Sequence, residues 1–290
     1  MGQLLTPRQV ADILKVKKNT VYEMIKRGEI KGVKVGKQIR VDADALNAYL
    51  EPSGAQDDPV ILCGQDMLLD TLCDCLGEEP YRIKAYRSKQ GSYNGLFALY
   101  QRQVHMATAH LWDGLSDSYN LPYIRWMLPG TDADVYHLVR RKQGFYVPAG
   151  NPKGLSGWED FRRKDLCFIN REPGCGVRVL VDEKLRKMGI LPRDVRGYGR
   201  EESSHLSVAC AVSEGKGDYG VGIEKIAASM EDMDFIPLQT ETYDLVIRRE
   251  DADKPFARAA VAIIRSEAFK EKVRHMGGYD VSLMGQEAGL

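Results

Sequence analysis

The sequence predicts an α/β chain in two parts, a small basic module of helices and a hairpin followed by a larger domain in which strands and helices alternate. Three observations predict it. The chain has 290 residues, which suits a minor domain plus one of larger size. A helical apolar period runs through residues 5–27 and then gives way to short alternating runs. After a polar stretch containing Pro and Gly, apolar strand-like runs alternate with helical ones to the end of the chain. The expected boundaries are 1–51 for the small module, 52–59 for a linker and 60–290 for the large domain.

Composition narrows the class. Hydrophobic residues make up 43% and charged residues 28%, as in ordinary globular proteins. No apolar run of about 18 residues is present, so no membrane partner is expected. MGQLLTPRQV has neither a basic n-region nor an apolar h-region, and a cytoplasmic location is expected. The cysteines at 63, 73, 75, 167, 175 and 210 form no CxxC, and Cys73–Asp74–Cys75 lacks a second pair. Reduced thiols, no metal and no cofactor follow. Net charge is zero, yet residues 1–51 hold ten Lys and Arg against six Asp and Glu, and the remainder holds 31 against 35. A basic module on an acidic body fits a nucleic-acid binder joined to a domain that does not bind nucleic acid.

In the small module, Thr6–Pro7 is an N-cap followed by a first-turn proline. Val10, Ala11, Ile13 and Leu14 give the first helix its apolar face. Val16 sits in a turn, and a second helix is predicted from about Lys18 to Arg27, with Val21, Met24 and Ile25 inward and Gly28 as its stop. Residues 30–41 alternate around Gly36–Lys37 and read as a β-hairpin. Asp42 caps a last helix carrying Leu46, Tyr49 and Leu50.

Leu5–Thr6, Val10–Ala11, Leu14, Val16, Thr20–Val21–Tyr22, Gly28, Ile30 and Val35–Gly36–Lys37 together resemble the excisionase and MerR-like family of winged helix-turn-helix domains, over residues 4–50. That resemblance implies a double-stranded DNA operator as partner. Its second helix would present Lys17, Lys18, Asn19, Thr20 and Tyr22 to the major groove, with Lys26 and Arg27 toward phosphate. Lys34, Lys37, Gln38 and Arg40 of the wing would reach backbone or minor groove. Lys17 departs from the family's usual Ser cap. Such proteins commonly read two half-sites as dimers, so a homodimer is open, although no coiled coil imposes one.

In the large domain Val60–Cys63 reads as a buried strand, Met67–Leu76 as a helix and Tyr81–Tyr86 as the next strand. A helix is predicted from Leu96 and a strand over 104–109. Further strands are predicted at 135–140, 144–148, 166–169, 195–198, 219–223, 234–238 and 243–248. The terminal helix, about 255–276, carries Phe256, Ala260, Ile263, Ile264 and Phe269.

Gly91–Ser92, Gly95–Leu96, His110–Leu111, Asp113, Arg141, Gly144 and Gly150–Asn151–Pro152 begin a second pattern. It continues through Asn170–Arg171, Gly174, Gly176, Arg178, Gly197–Tyr198, Arg200–Glu201–Glu202, His205, Asp218, Gly220, Gly222–Ile223 and Tyr243–Asp244–Leu245. This resembles the type II periplasmic-binding-protein fold, in particular the molybdate-binding-like sensor domains fused to bacterial helix-turn-helix regulators. The resemblance implies two lobes, with chain crossings near 144–146 and 234–238 and a ligand cleft between them.

Gly-rich turns opening helices at Ser92 and at Gly174–Cys175–Gly176 expose backbone N–H groups suited to an oxyanion. The implied ligand is molybdate or tungstate, with Gly64, Gln65, Ser92, Cys175, Gly176, Val177 and Tyr219 as ligand-binding residues. Relatives carry hydroxyl side chains at Gly64, Cys175 and Val177, so another small anion or an organic metabolite is the alternative. Gln65, Arg82, Arg178 and Tyr219 are then the replacement polar contacts. A further alternative is an architectural DNA binder of excisionase type without ligand control. Catalysis is not expected. A Cys175 nucleophile would need His110 or His205 beside it, Asp113, Glu201 and Glu202 form no recognisable acid–base pair, and Gly215–Asp218 is no complete phosphate loop.

Overall fold

The computed structural model describes residues 4–27, 30, 32–35, 38–43, 46 and 59–289. The chain divides between residues 58 and 59 into two compact units. Among the described residues no helix is long and apolar enough to cross a membrane.

The first unit opens with β1 (Leu4–Leu5) and α1 (Pro7–Leu14). Thr6 starts α1 with a reciprocal cap: the Gln9 N–H donates to Thr6 Oγ1 (3.2 Å) and the Thr6 N–H to Gln9 Oε1 (2.9 Å). Lys15, in the left-handed region at φ 54°, ends it. α2 (Lys18–Lys26) follows, with no side-chain cap at Lys17. β2 (Gly32–Val35) and β3 (Gln38–Asp42) pair antiparallel, and β1 adds to β3, giving the order β1-β3-β2. Val10, Ala11, Val21, Met24, Ile30, Val41 and Leu46 form the core. Ile13 is half exposed, a correction to its inward assignment: Val10 and Ala11 are buried and Leu14 packs against them, so the inward face of α1 is filled without it. Gly28, Gly36–Lys37, Tyr49, Leu50 and linker residues 52–58 lie outside the described residues, as does most of the helix expected after Asp42.

The second unit is built on an eight-stranded sheet. Its strands are β4 (Val60–Cys63), β5 (Ala85–Ser88), β6 (Met106–Ala109), β9 (Ala133–Pro148), β10 (Phe168–Arg171), β11 (Glu201–Glu202), β12 (Tyr219–Ile223) and β13 (Met233–Arg248), in the order β11-β10-β12-β9-β13-β6-β4-β5. A separate two-stranded ribbon joins β7 (Trp112–Asp113) to β8 (Ser118–Tyr119). Both faces of the main sheet are covered. Leu62 packs with α3 (Leu68–Gly77) and α9 (Pro255–Arg265), whereas Ile61 and Cys63 pack with α4 (Ser92–Tyr100) and α5 (Leu121–Met127). The alternation of side chains along a strand requires this division. In the other lobe Phe145, Phe168 and Val221 meet α6 (Gly176–Met188), while Tyr146 and Ile169 meet α7 (His205–Ser213) and α8 (Glu224–Ala227).

Several expected boundaries move. Residues 135–140 and 144–148 belong to one 16-residue strand, β9, and 234–238 and 243–248 to another, β13. β12 already pairs with Gln143–Tyr146, and β6 pairs with Asp244–Ile247. The lobe crossings therefore lie at Arg140–Lys142 and Thr240–Thr242, which pair with each other, rather than near 144–146 and 234–238. The expected strand at 81–86 is displaced to β5, because Tyr81 closes a turn onto Glu78 and Arg82 adopts φ 51°. Residues 195–198 form turns, with only the short β11 beyond them. The helix expected from Leu96 begins at Ser92. The terminal helix breaks at Ser266, whose extended backbone ends α9 and whose hydroxyl caps α10 (Glu267–His275).

Candidate functional site

Two surfaces carry the chemistry, one in each unit. On the first, Lys17, Lys18, Asn19, Thr20, Tyr22, Lys26 and Arg27 of α2 are all exposed. Lys18 Nζ lies 5.7 Å from the Tyr22 ring centroid. Gln38 is exposed and accepts from Arg40 Nη2 at 2.6 Å. A groove of about 470 Å³ runs between α1, α2 and β3, lined by Thr6, Pro7, Arg8, Lys18, Tyr22, Gln38, Ile39 and Arg40. The structure thus brings the second helix and the hairpin strand β3 to one groove, and it adds Arg8, which no sequence pattern singled out. The Lys34 side chain and Lys37 lie outside the described residues.

The second surface lies where the lobes meet. Arg141, on the β9 crossing, is buried between two carboxylates, Asp66 and Glu241. Glu241, its cross-strand partner, also bonds His110 Nδ1 at 2.6 Å. Burial pushes the Glu241 carboxyl up, yet Arg141 and His110 together hold it below its ordinary value. Asp66 Oδ1 accepts from the Leu68 N–H (2.8 Å) and the Tyr279 hydroxyl (2.7 Å). Tyr243 shares a 2.7 Å hydrogen bond with Thr108 and stacks under the Arg141 guanidinium at 4.4 Å. Every oxygen of the two carboxylates thus accepts at least one hydrogen bond from the protein.

Next to this network the N-termini of α4 and α6 come face to face. The Tyr93 N–H donates to the Gly174 carbonyl at 3.0 Å, and Ser92 Oγ accepts from the His110 N–H at 3.2 Å. A side chain at Gly91 would place its Cβ 2.5 Å from the Cys175 Cα, and one at Gly176 would meet the His110 ring at 2.5 Å. Only glycine permits these approaches. Gln65 also spans the lobes, donating to Glu172 Oε1 (3.1 Å) and accepting from Arg171 Nη2 (2.8 Å).

Of the residues expected to bind ligand, Gln65, Ser92, Cys175 and Gly176 lie at this junction, and Gly64 packs beneath Thr108 and Tyr243. The side chains of two others pack elsewhere. Val177 faces the core of the second lobe, and Tyr219 is locked among Phe145, Phe161 and Phe168 at centroid distances of 5.1, 5.3 and 5.1 Å. Helical and strand alternation turn both side chains away from the cleft. Arg82 pairs with Glu79 on an exposed turn, and Arg178 is tied to Asp182 and Glu201 within its lobe, so neither replaces a lost hydroxyl. Asp66, Glu241 and Tyr279 went unrecognised in the sequence, because isolated acids and tyrosines carry no spacing signal.

A cavity of about 150 Å³ remains at the junction, lined by Gln65, Asp66, Met67, Ser204, His205, Leu206, Ile223, Lys225, Ile226 and Tyr279. His205 Nδ1 is buried without a hydrogen-bond partner. Burial, then the charges of Arg171, Arg141 and His110, hold its imidazole well below the usual histidine range, so it is neutral. Cys175 caps α6 by accepting from the Arg178 N–H at 3.3 Å. The fold does bring the His110 ring against neighbouring Gly176, but burial pushes the Cys175 thiol up to about 11, opposite to what a nucleophile needs.

Comparison with known proteins agrees with this architecture. A model described as a PBP superfamily domain matches residues 73–265, and one described as a helix-turn-helix domain matches residues 4–53. The Bacillus subtilis (strain 168) protein YvgK is 37% identical over 300 residues, covering 97% of this chain and 96% of its own length. A phosphate ABC transporter substrate-binding protein of Clostridium perfringens, solved with bound phosphate, superposes with a TM-score of 0.57 at 10% identity, over 77% of this chain and 98% of that one. A hydrogen-peroxide-bound mutant of Corynebacterium glutamicum OxyR gives 0.54 at 12% identity, over 93% and 89%. At such identities the likeness is one of fold. With its sheet order, its two lobes and a relative matching along its whole length, the chain belongs to the PBP superfamily, its PBP domain preceded in sequence by a helix-turn-helix domain.

Proposed function

We propose that this protein is a one-component transcriptional regulator that binds a double-stranded DNA operator and senses a small anion between its lobes. One observation carries the reading: an exposed basic helix-turn-helix surface shares a chain with a two-lobed domain whose α4 and α6 N-termini converge from opposite lobes. Backbone N–H groups at such termini hold oxyanions without a full counter-charge. Molybdate and tungstate are the first candidates, seated by Gln65, Ser92, Cys175 and Gly176, with Gly64 beneath. The phosphate-bound structural neighbour supports an oxyanion as the class.

Because Gly91 and Cys175 are in backbone contact, an anion entering between them must spread the lobes, and that displacement is the signal. A coupling of about 1.4 kcal/mol to DNA affinity gives a tenfold response. The DNA surface is Lys17, Lys18, Asn19, Thr20, Tyr22, Lys26, Arg27, Gln38 and Arg40, with Arg8 added and Lys34 and Lys37 completing the wing. Titration calorimetry of the full chain with molybdate, tungstate and sulfate at matched salt tests the ligand. Micromolar binding of the first two, weakened by Ser92→Ala, is the expected result. Silence from all three removes the oxyanion and leaves the DNA reading to a separate gel-shift measurement.

A further inference from the structure

A short ribbon of the first lobe reaches over a helix of the second. β7–β8 leaves the first lobe between Leu111 and Leu121, which both pack with that lobe's core. Its root is tied to the crossing strands. The Tyr119 hydroxyl donates to Gln143 Oε1 at 3.2 Å and accepts from Gln239 Nε2, and Asn120 Nδ2 donates to Asp244 Oδ2 at 2.6 Å. The other strand and the turn lie on α6. A Cβ at Gly114 would stand 2.6 Å from Glu183 Oε2, so turn and helix are in contact. Lys184 Nζ lies 3.8 Å from the ring centroid of Trp112 in the ribbon and 5.3 Å from that of Trp158, which packs on the second lobe's core. Lys187 Nζ is 5.2 Å from the same Trp112 ring. Trp112 is 3% exposed, and its Nε1–H donates to Asp117 Oδ1 at 3.0 Å, which fixes the ring with its face toward the lysines. Asp117 also attracts the Lys184 ammonium.

We propose that the β7–β8 ribbon is a clasp that holds the two lobes closed when nothing is bound, with Lys184 against Trp112 as its latch. An ammonium over an indole face is held by the ring's own charge distribution, and more firmly where water is kept out. Parting the lobes draws α6 away from the ribbon, which bares Trp112 and returns both lysines to water. The root of the ribbon stays on the crossing strands, where movement is least. The ribbon therefore turns a rotation at the crossing into the making or breaking of one contact. Whatever separates the lobes works against the clasp, and the clasp biases how much of the open form exists beforehand. It depends on the two-lobed fold alone and on no choice of ligand.

Amide hydrogen exchange on the full chain tests it, read outside the ribbon. The Tyr93 N–H donates across the lobes to the Gly174 carbonyl and is released when they part. Lys184→Gln should speed exchange at Tyr93 about tenfold, within the range a desolvated cation–π contact allows. The amides of β4 and β6 should exchange as before. Lys184→Arg, which keeps a cation over the indole, should restore the slow rate. The double variant Gly114→Cys with Glu183→Cys should form a disulfide between ribbon and helix, identified by peptide mass spectrometry, and should slow Tyr93 exchange below that of the unmodified chain. It leaves Lys184 in place and decides the matter should Lys184→Gln fail to fold. An unchanged Tyr93 rate in Lys184→Gln overturns the clasp, as does a linked double variant that exchanges no more slowly or a double variant that does not link. Exchange that quickens equally throughout the lobed unit assigns Lys184 to the fold rather than to closure, and overturns it too.

Discussion

In the helix-turn-helix unit the cations are outside, and in the lobed unit several are inside. Among the described residues no charged side chain of the first unit is buried, whereas Arg141, Arg171, Arg178 and Arg248 of the second are each at most 9% exposed. Each of these arginines is matched to acids: Asp66 and Glu241, Glu172, Asp182 and Glu201, or Asp251. The difference teaches what each charge is for. Cations on α2 lie at the surface and can be given to a polyanion with little rearrangement. A buried arginine is already committed, and it joins segments far apart in the chain; Asp66, Arg141 and Glu241 come from three of them.

The contrast can be broken most directly at its buried end. Arg141→Met leaves two facing carboxylates without their cation and should cost about 3–5 kcal/mol of stability, read as a lower urea midpoint of the lobed unit. A loss below about 1 kcal/mol would mean that the network is hydrated and the two units are alike. The next effect is one of pH. His205 is held well below 6.5 by burial and by the neighbouring positive charges, so below pH 6.5 the unfolded chain takes up a proton that the folded chain refuses. Stability should therefore fall as pH drops below 6.5, by up to about 1.4 kcal/mol per pH unit. His205→Gln should flatten that fall, and an unchanged pH profile would show that the imidazole is accessible to solvent. The smallest change in stability belongs to the exposed end. Lys18→Ala should leave stability within about 0.5 kcal/mol, yet lower the slope of log affinity against log salt for DNA by about 1. A fluorescence-anisotropy salt series measures it, and an unaltered slope would remove Lys18 from the DNA surface.

The same contrast decides what could be read from sequence. Exposed function left local marks, since Thr6–Pro7, the Thr20–Val21–Tyr22 run and the alternation before Asp42 all act within a few residues of themselves. The glycines at 91 and 176 were legible too, because a Gly-rich turn before a helix has a local meaning. The lobe crossings were not. Arg141, Lys142 and Gln143, which follow Arg140, interrupt the apolar rhythm and fall between the two predicted strands, yet one strand runs through them. Each of the four finds a partner elsewhere in the fold: Asp280, Glu241 with Asp66, Glu224, and Tyr119. No window of a dozen residues contains those partners. For Val177 and Tyr219 the place in a family pattern said nothing about which face of helix or strand their side chains occupy, and both pack into the core of the second lobe.

The pairing of β9 with β13 has a mechanical consequence. Among the described residues only these two strands belong to both lobes, and they are hydrogen-bonded side by side where they cross. A ladder of that kind resists sliding, because slipping one strand along the other breaks every bond at once, but it bends and twists with little loss. The ladder's register shifts, between Pro237 and Gln239 and again between Tyr243 and Asp244, bracket the crossing and mark where bending concentrates. Rotation of one lobe against the other about this leaf spring would therefore cost less than shearing. Arg141 and Glu241, paired across the crossing, lie close to where such a rotation would pivot and would move least. Contacts far from the axis have the longest lever arms, so a turn of a few degrees at the spring is enough to part them.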